Sequence, residues 1–499
     1  MSRIASGSVT YASLLAFQTN QVSSASFAAA LPTNGLRKTS FFTYLQDEYK
    51  LRSNITLDMG LRYSFFNRFH EVDGRAIPFD FATCGAQGFC PTGADFGPRN
   101  YLDLDPRFSI AWAPSKLGRT AVIRAGAGIY HGDGQLDDQN FPESNEVDSY
   151  SLSLKTIPTL SFPITPFLAN TPGIVSPKDE DRDRKDMYVS EWGLSAEHGI
   201  PHDMVVTVSY VGEQGTHLLS RSFVNVINPL LGVRPYPAFG QIQYRGNDNN
   251  SSFEALQTSL RRTFEHGLLL SVNYMWSHEI DDDSAGAGGV YSQYPENVAC
   301  QECERASGNF DIRHSFNANL VYSLPSPGAS RPAMLHRIFG SWELATIFTV
   351  RTGLPVNVTV DRSSSVMPDG NSSSPERPNI VPGASLTPTS GSTISDWINL
   401  AAFSVPAAGT WGDAPRNAVR GPGAWQQDLS LEKRFVVNER LNFQFRAEAF
   451  NIFNHPEFGA PQADISSTSN FGQILTTVNT GPVGTGTSRQ IQLMLRGNF

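Results

Sequence analysis

The feature that most limits what this chain can fold into is an apolar alternation with a period of two, broken by connections of two very different lengths. Across residues 55–65 the odd positions are Ile55, Leu57, Met59, Leu61, Tyr63 and Phe65, and the even ones are Thr56, Asp58, Gly60, Arg62 and Ser64. Successive side chains of a strand point to opposite faces, so this is a strand with one apolar and one polar face. Leu268, Leu270, Val272, Tyr274 and Trp276 repeat the pattern against Ser271, Asn273 and Ser277. Trp342, Leu344, Phe348 and Val350 do so against Ser341, Glu343 and Arg351, and Leu441, Phe443, Phe445, Ala447 and Ala449 against Asn442, Gln444, Arg446 and Glu448.

The connections separate two ways of hiding such faces. Strands come in pairs joined by short turns at 51–54, 115–118, 199–202, 265–266 and 438–439. Between the pairs lie long segments, 67–105, 132–186, 213–251, 280–309, 361–426 and 454–487, with an intermediate link at 325–339. Long structureless loops are uncommon in compact soluble domains. Outer-membrane barrels have this asymmetry by construction, with short periplasmic turns and long outer loops. A strand of about 11 residues at roughly 3.3 Å each, tilted about 40°, spans some 27 Å, close to the apolar band of about 25 Å.

The polar faces agree. Asp58, Arg62, Glu191, Glu343, Arg446 and Glu448 would be costly against an apolar core and cost little on a wet lumen wall. Composition then has a cause. Charged residues are 17% of the chain, against about 25% in an ordinary soluble domain, because half of every strand faces hydrocarbon. Aromatic residues reach 11%, with 32 Phe, and suit lipid and its interfacial girdles. A net charge of −9 argues against a nucleic-acid partner. No run of about 18 apolar residues offers a membrane helix. Residues 1–38 give no secretory signal and at most one strand, near 23–31, which would make an even count with the 13 or so found from residue 39 to 499.

The C-terminus carries its own signal. Ile491, Leu493 and Leu495 alternate with Gln490, Gln492 and Arg496, and the chain ends on Phe499. A terminal aromatic in register with an amphipathic strand is similar to the assembly signal of outer-membrane barrels; an ordinary C-terminal strand is the plainer alternative. The signal implies the barrel-assembly machinery as a partner and a periplasmic C-terminus, so every short turn is periplasmic and every long loop is outside.

Taken in order, several segments resemble the barrel of TonB-dependent receptors, the Oar-like group in particular. They are Gln46-Asp47-Glu48 with Leu57-Asp58-Met59-Gly60-Leu61-Arg62-Tyr63, Pro106-Arg107-Phe108 with the run from Arg124 to Tyr130, and Tyr210-Val211-Gly212 with Gly215-Thr216-His217-Leu218. Ala255-Leu256-Gln257, Tyr274-Met275-Trp276-Ser277, Phe310-Asp311-Ile312-Arg313-His314 and the run from Arg446 to Gly459 follow. The resemblance implies an all-β, antiparallel transmembrane barrel of 22 strands filled by an N-terminal plug. It implies import of a ligand (carbohydrate, peptide or metal chelate) powered by the TonB complex, and residence in the bacterial outer membrane. About 14 strands are legible here, and no plug, TonB-interacting segment or carboxypeptidase-regulatory-like domain precedes them. The expectation is the C-terminal part of such a receptor, reaching TonB only through a plug absent from this chain.

Individual sites are few. Cys84 and Cys90 flank a Gly-rich stretch in one long loop, and Cys300 and Cys303 form a C-x-x-C in another. Without a second ligand pair at zinc spacing, local disulfides on outer loops are the expectation. The tracts Asp179-Glu180-Asp181 and Glu279-Ile280-Asp281-Asp282-Asp283 offer hard oxygens for Ca²⁺, but EF-hand spacing is absent and solvated loops are expected. Stretches 326–332 and 363–392 are Pro/Ser/Gly-rich and read as flexible. Tyr291, Tyr294, Trp397 and Trp411 either stack on a ligand or pack loops together. No Walker A loop, HExxH or GxSxG occurs, so no enzyme, cofactor or metal site is expected. The rival classes are a structural or adhesive barrel, a non-functional fragment, and a secreted soluble β-protein; a propeller's repeat of about 40–50 residues is not found.

Overall fold

The computed structural model describes residues 4–29, 35–97, 99–115, 120–134, 139, 145, 176–228, 230–265, 267–284, 294–328, 332–371, 374–438, 441–478 and 488–498. Tyr291, Phe499, most of 132–186 and parts of the turns at 115–118, 265–266 and 438–439 lie outside the described residues. Thirteen strands form one antiparallel meander: β1 Ser40–Arg52, β2 Ile55–Phe66, β3 Asp103–Trp112, β4 Ala121–Gly132, β5 Met187–Ile200, β6 Met204–Val224, β7 Ile242–Glu265, β8 Leu268–Asp281, β9 His314–Ser323, β10 Trp342–Arg351, β11 Ala424–Val436, β12 Asn442–Phe450 and β13 Gln490–Asn498. Each pairs with its neighbour in sequence, so the order across the sheet is the order along the chain. Two short strands, Lys178–Glu180 and Ala306–Ser307, add to its outer end. Among the described residues no pairing joins β1 to β13, so the sheet is an open wall of a barrel.

Register decides which side chains share a face. Asp58 lies opposite Glu48 and Ser109, and Arg62 opposite Tyr44 and Asp105. Glu191 lies opposite Gly128 and Glu213, and Arg446 opposite Glu432 and Met494. Glu343 pairs with Ser323 and Glu432, and Glu448 with Ser430 and Gln492. Every charge assigned to the lumen thus falls on one continuous face. The opposite face runs Met59, Phe108, Ala127, Trp192 in one row, and Leu57, Ile110, Ala125, Leu194, Tyr210, Leu256, Trp276 in the next. A shift of one residue in any pair would move a charge into lipid, which is why period two sets the register.

Three expectations change. The strand at Ser24–Ala29 forms, but it pairs only with Ile4–Thr10 as a separate ribbon and adds nothing to the large sheet. The segment 213–251 is not a long loop. β6 and β7 are 21 and 24 residues long and continue pairing to Val224 and Ile242. At about 3.3 Å per residue they reach roughly 70–80 Å, so even when tilted they stand well clear of the apolar band. The Pro/Ser/Gly-rich stretch 363–392 is not a free loop. Val356, Val358, Val360, Ile398, Ala402, Phe403, Val419, Ile465 and Phe471 form a buried apolar core drawn from the loops after β10 and β12. Asn379–Ile380 pairs with Phe403–Ser404 on its flank. These loops supply their own hydrophobic burial, enough to order a Pro-rich segment that composition alone would leave mobile.

Candidate functional site

The outer loops are built into a cap by arginines that grip carboxylates, three of them across 73 to 135 residues of sequence. Arg377 donates to Glu304 at 2.5 and 3.0 Å and pairs with Glu296 at 2.8 Å. Arg416 bonds Asp281, the Ser284 hydroxyl at 3.0 Å and the Glu304 carbonyl at 2.9 Å. Arg420 pairs with Asp311 and donates to its carbonyl at 2.9 Å. Arg362 grips Glu376 at 2.6 and 2.9 Å and donates to the carbonyls of Pro406, Ala407 and Thr410. Bidentate arginines suit this work because their planar fork satisfies a carboxylate and spare carbonyls together. Burial pushes the Glu296 carboxyl up to about 7, even with Arg377 beside it.

A second cluster ties the loops after β2, β4 and β6. Phe79 is buried between Phe81, Phe89 and Phe239, and Phe81 stacks on Tyr236 at 3.7 Å. Arg68 bonds Asp186 at 2.7 Å and Arg184 bonds Glu180 at 2.6 Å, all four being buried. The acidic tracts are therefore packed rather than solvated: Asp179, Glu180, Asp281 and Asp282 are all buried, with Arg184 beside Glu180, Arg416 beside Asp281 and the Asn250 N–H on Asp282 in place of water. Burial, with Asp80 and Asp181 close by, pushes Asp179 up to about 8. Among the described residues no group of three His, Cys, Asp or Glu is gathered as a metal site. The two clusters join where the Ile227 N–H donates to the Asp369 carbonyl at 2.9 Å and Gln241 bonds Asn371.

The cysteines sit at the feet of these clusters. Cys84 and Cys90 have Cα atoms 4.7 Å apart and joined sulfurs, with the Arg182 guanidinium 3.1 Å from Cys90 Sγ. Cys300 and Cys303, with Cα atoms 5.4 Å apart, are joined around the turn Gln301–Glu304 that presents Glu304 to Arg377. Two of the loop aromatics, Trp397 and Tyr294, pack loops. Trp397 lies against the cap core and donates to the Arg420 carbonyl at 2.8 Å, and the Tyr294 hydroxyl accepts from Gln243 at 2.8 Å. Ile491, Leu493 and Leu495 pair with Ala449, Ala447 and Phe445 on the lipid face and are 70%, 67% and 72% exposed.

Among the described residues two recesses stand out as room for a solute. One, of about 760 Å³, lies where the cap meets the outer end of β10. Arg351, Asn357, Asn417 and Glu376 give it polar walls, and Phe458 and Val356 apolar ones. The other, of about 1020 Å³, hollows the wall between β1 and β5. There the Arg62 guanidinium lies over the Phe42 ring at 4.6 Å and Arg107 over Tyr130 at 4.4 Å. Gly128 makes room for that second stack: a Cβ there would stand 3.1 Å from Arg107 Cγ and 3.2 Å from the Tyr130 hydroxyl. The cap cavity was not legible in sequence, because its walls come from loops more than 100 residues apart and share no period.

Comparison with known proteins agrees with this architecture. A family model described as "Outer membrane beta barrel domain" matches residues 2–492. The outer membrane transporter YddB from Escherichia coli superposes with a TM-score of 0.52 at 11% identity, covering 92% of this chain and 45% of that one. The FrpB iron transporter from Neisseria meningitidis (F3-3 variant) gives 0.45 at 13% identity, covering 93% and 46%. The siderophore receptor PiuA from Acinetobacter baumannii gives 0.43 at 9%, covering 96% and 44%. The chain thus spans less than half the length of these structures. No curated protein matches its sequence. With the family match over nearly its whole length, the chain belongs to the outer membrane beta-barrel domain family and is a protein of the bacterial outer membrane.

Proposed function

We propose that this chain is the barrel part of a TonB-dependent transporter of the Oar-like group, binding a ligand at its outer face and passing it to the lumen. The observation that carries the reading is the cap cavity above β10. It is lined by residues of the ordered, arginine-clamped cap and meets the wall at Arg351, the last residue of β10 on the polar face. An adhesin needs loops that meet a surface; it does not need a cavity joined to the lumen wall. The mixed lining, with amide, guanidinium and apolar walls, suits a polar solute such as a carbohydrate, a peptide or a metal chelate. Coupling to the TonB complex would run through a plug domain, and insertion through the barrel-assembly machinery. Both loop cysteine pairs are read as native disulfides. Nothing in the cavity calls for catalysis.

The test uses the full chain in outer-membrane vesicles, offered oligosaccharide, oligopeptide and ferric-chelate mixtures, with retained solutes identified by mass spectrometry. One class should be retained, and filling the cavity with Ala460→Trp should abolish retention. Retention unchanged by Ala460→Trp would overturn the cavity as the site. Retention of none of the three classes, with vesicles adhering to glycan or protein surfaces, would favour the adhesive barrel.

A further inference from the structure

We propose that the helix Ala333–Phe339, in the link between β9 and β10, is a lipid anchor that lies in the periplasmic headgroup layer and binds anionic phospholipid. The link stands out among the periplasmic connections. The turns after β1 and β5 take only two or three residues, whereas residues 324–341 hold a helix. Met334 and Ile338 stand four residues apart, hence on one helix face, and are 71% and 45% exposed. Phe339 beside them is 59% exposed. An apolar helix face left open at the end of a membrane barrel needs an occupant.

Its attachment says which occupant. The Lys433 ammonium donates to the Ile338 carbonyl at 3.2 Å and to the Gly340 carbonyl. It lies 5.3 Å from both the Trp342 and Phe435 rings and is almost fully buried. Trp342 Nε1 donates to the same Ile338 carbonyl at 2.8 Å. Trp342 and Lys433 are register partners, and they share their face with Leu344 and Leu431, the lipid face. The helix C-terminus is therefore fastened to the membrane side of the wall, not to the lumen side. The apolar belt continues past it through exposed Phe435 and Val437. Residues 324–341 contain no Asp or Glu, and the last helical turn carries His336 and exposed Arg337. A helix with an apolar face, an exposed arginine and no acidic residue, continuous with a lipid-facing belt, fits an anionic membrane surface. An acidic protein partner would meet the same charges, but it would have no use for a face merging into the acyl belt.

The test places nitroxides on the full chain refolded into vesicles of phosphatidylethanolamine and phosphatidylglycerol, and into vesicles of phosphatidylcholine. Met334→Cys and Ile338→Cys report the helix, Leu194→Cys the belt, and His202→Cys the periplasmic turn. Collision with a water-soluble nickel chelate at 334 and 338 should fall about three- to tenfold below that at 202, and oxygen collision should rise towards the value at 194. Arg337→Glu should weaken this protection in the anionic vesicles and leave it unchanged in phosphatidylcholine. Helix positions as wet as 202, with 194 in lipid, would overturn the anchor while leaving the barrel intact. If 194 is wet too, insertion itself has failed and the barrel topology falls with the anchor. Spin–spin broadening that grows with the protein-to-lipid ratio would assign the face to a second copy. Equal protection in both lipids, insensitive to Arg337→Glu, would overturn anionic recognition.

Discussion

Replacing Arg377 by Ala is the sharpest perturbation of the cap. The guanidinium is the partner of Glu296 and Glu304, which are 1% and 2% exposed. Removing one side of a buried pair leaves uncompensated charge and costs about 3–5 kcal/mol. At about 1.4 kcal/mol per decade, the open-to-closed ratio of the cap should rise by about two to three and a half decades. The sign with pH follows from Glu296. Its carboxyl titrates near 7 in the folded cap, above the ordinary value of 4.5, so the folded state holds the extra proton between those pH values. Cap stability from this group is thus highest below about 4.5 and falls as pH rises towards 7. Without Arg377 the carboxyl rises further, and the defect should be largest at pH 8 and shrink on acidification to pH 5.5. The assay is limited proteolysis and amide exchange of the cap in vesicles, with heat-modifiable gel mobility showing that the barrel still folds. Arg377→Ala combined with Glu296→Gln and Glu304→Gln should recover much of the protection. A variant that stays protected at every pH, or whose defect ignores pH, would refute the charge account.

Four further outcomes are expected. Gly412→Ala should open the cap as severely as Arg377→Ala, because its Cβ would overlap the Arg377 carbonyl oxygen; wild-type protease resistance would contradict the packing. Mass spectrometry of unreduced protein should find no free thiol, and Cys300→Ser with Cys303→Ser should cost about 2 kcal/mol by loop-closure entropy, read as faster cleavage near residue 300. Asp179→Asn should slow cap proteolysis at pH 8 and not at pH 4. Its folded carboxyl near 8 lies above the ordinary 3.8, so the native residue weakens the cap as pH rises between those values, on the order of 4 kcal/mol near neutrality. Leu493→Asp puts charge on the lipid face of β13 and should cost about 2 kcal/mol, lowering the heat-modifiable fraction; Gln492→Asp on the lumen face should not.

What could be read from the chain was local and periodic. Ile55 to Phe65, Leu268 to Trp276 and Ile491 to Leu495 announce their strands and faces, since period two is a property of a few consecutive residues and register follows from which face must avoid water. The turn lengths then oriented the wall, and Asp58, Arg62, Glu191 and Arg446 fell on the lumen face. The cap had no such signature. Composition marked 363–392 as loose and Asp179-Glu180-Asp181 as solvated. Yet Arg377 meets Glu304 and Glu296 across 73 and 81 residues, and Arg416 meets Asp281 across 135. Irregular segments carry no period, so nothing local says which arginine finds which carboxylate; only the meander, by bringing those loop bases side by side, decides it. The same holds for Ser24–Ala29, whose partner is Ile4–Thr10 and not the wall, and for the helix Ala333–Phe339, which only the placement of Lys433 and Trp342 turns towards lipid. The sequence by itself determined a membrane wall and its two faces, because lipid and water sort neighbouring residues. The tertiary structure alone decided the cap, its cavity and the anchor, because those depend on contacts between residues far apart in the chain.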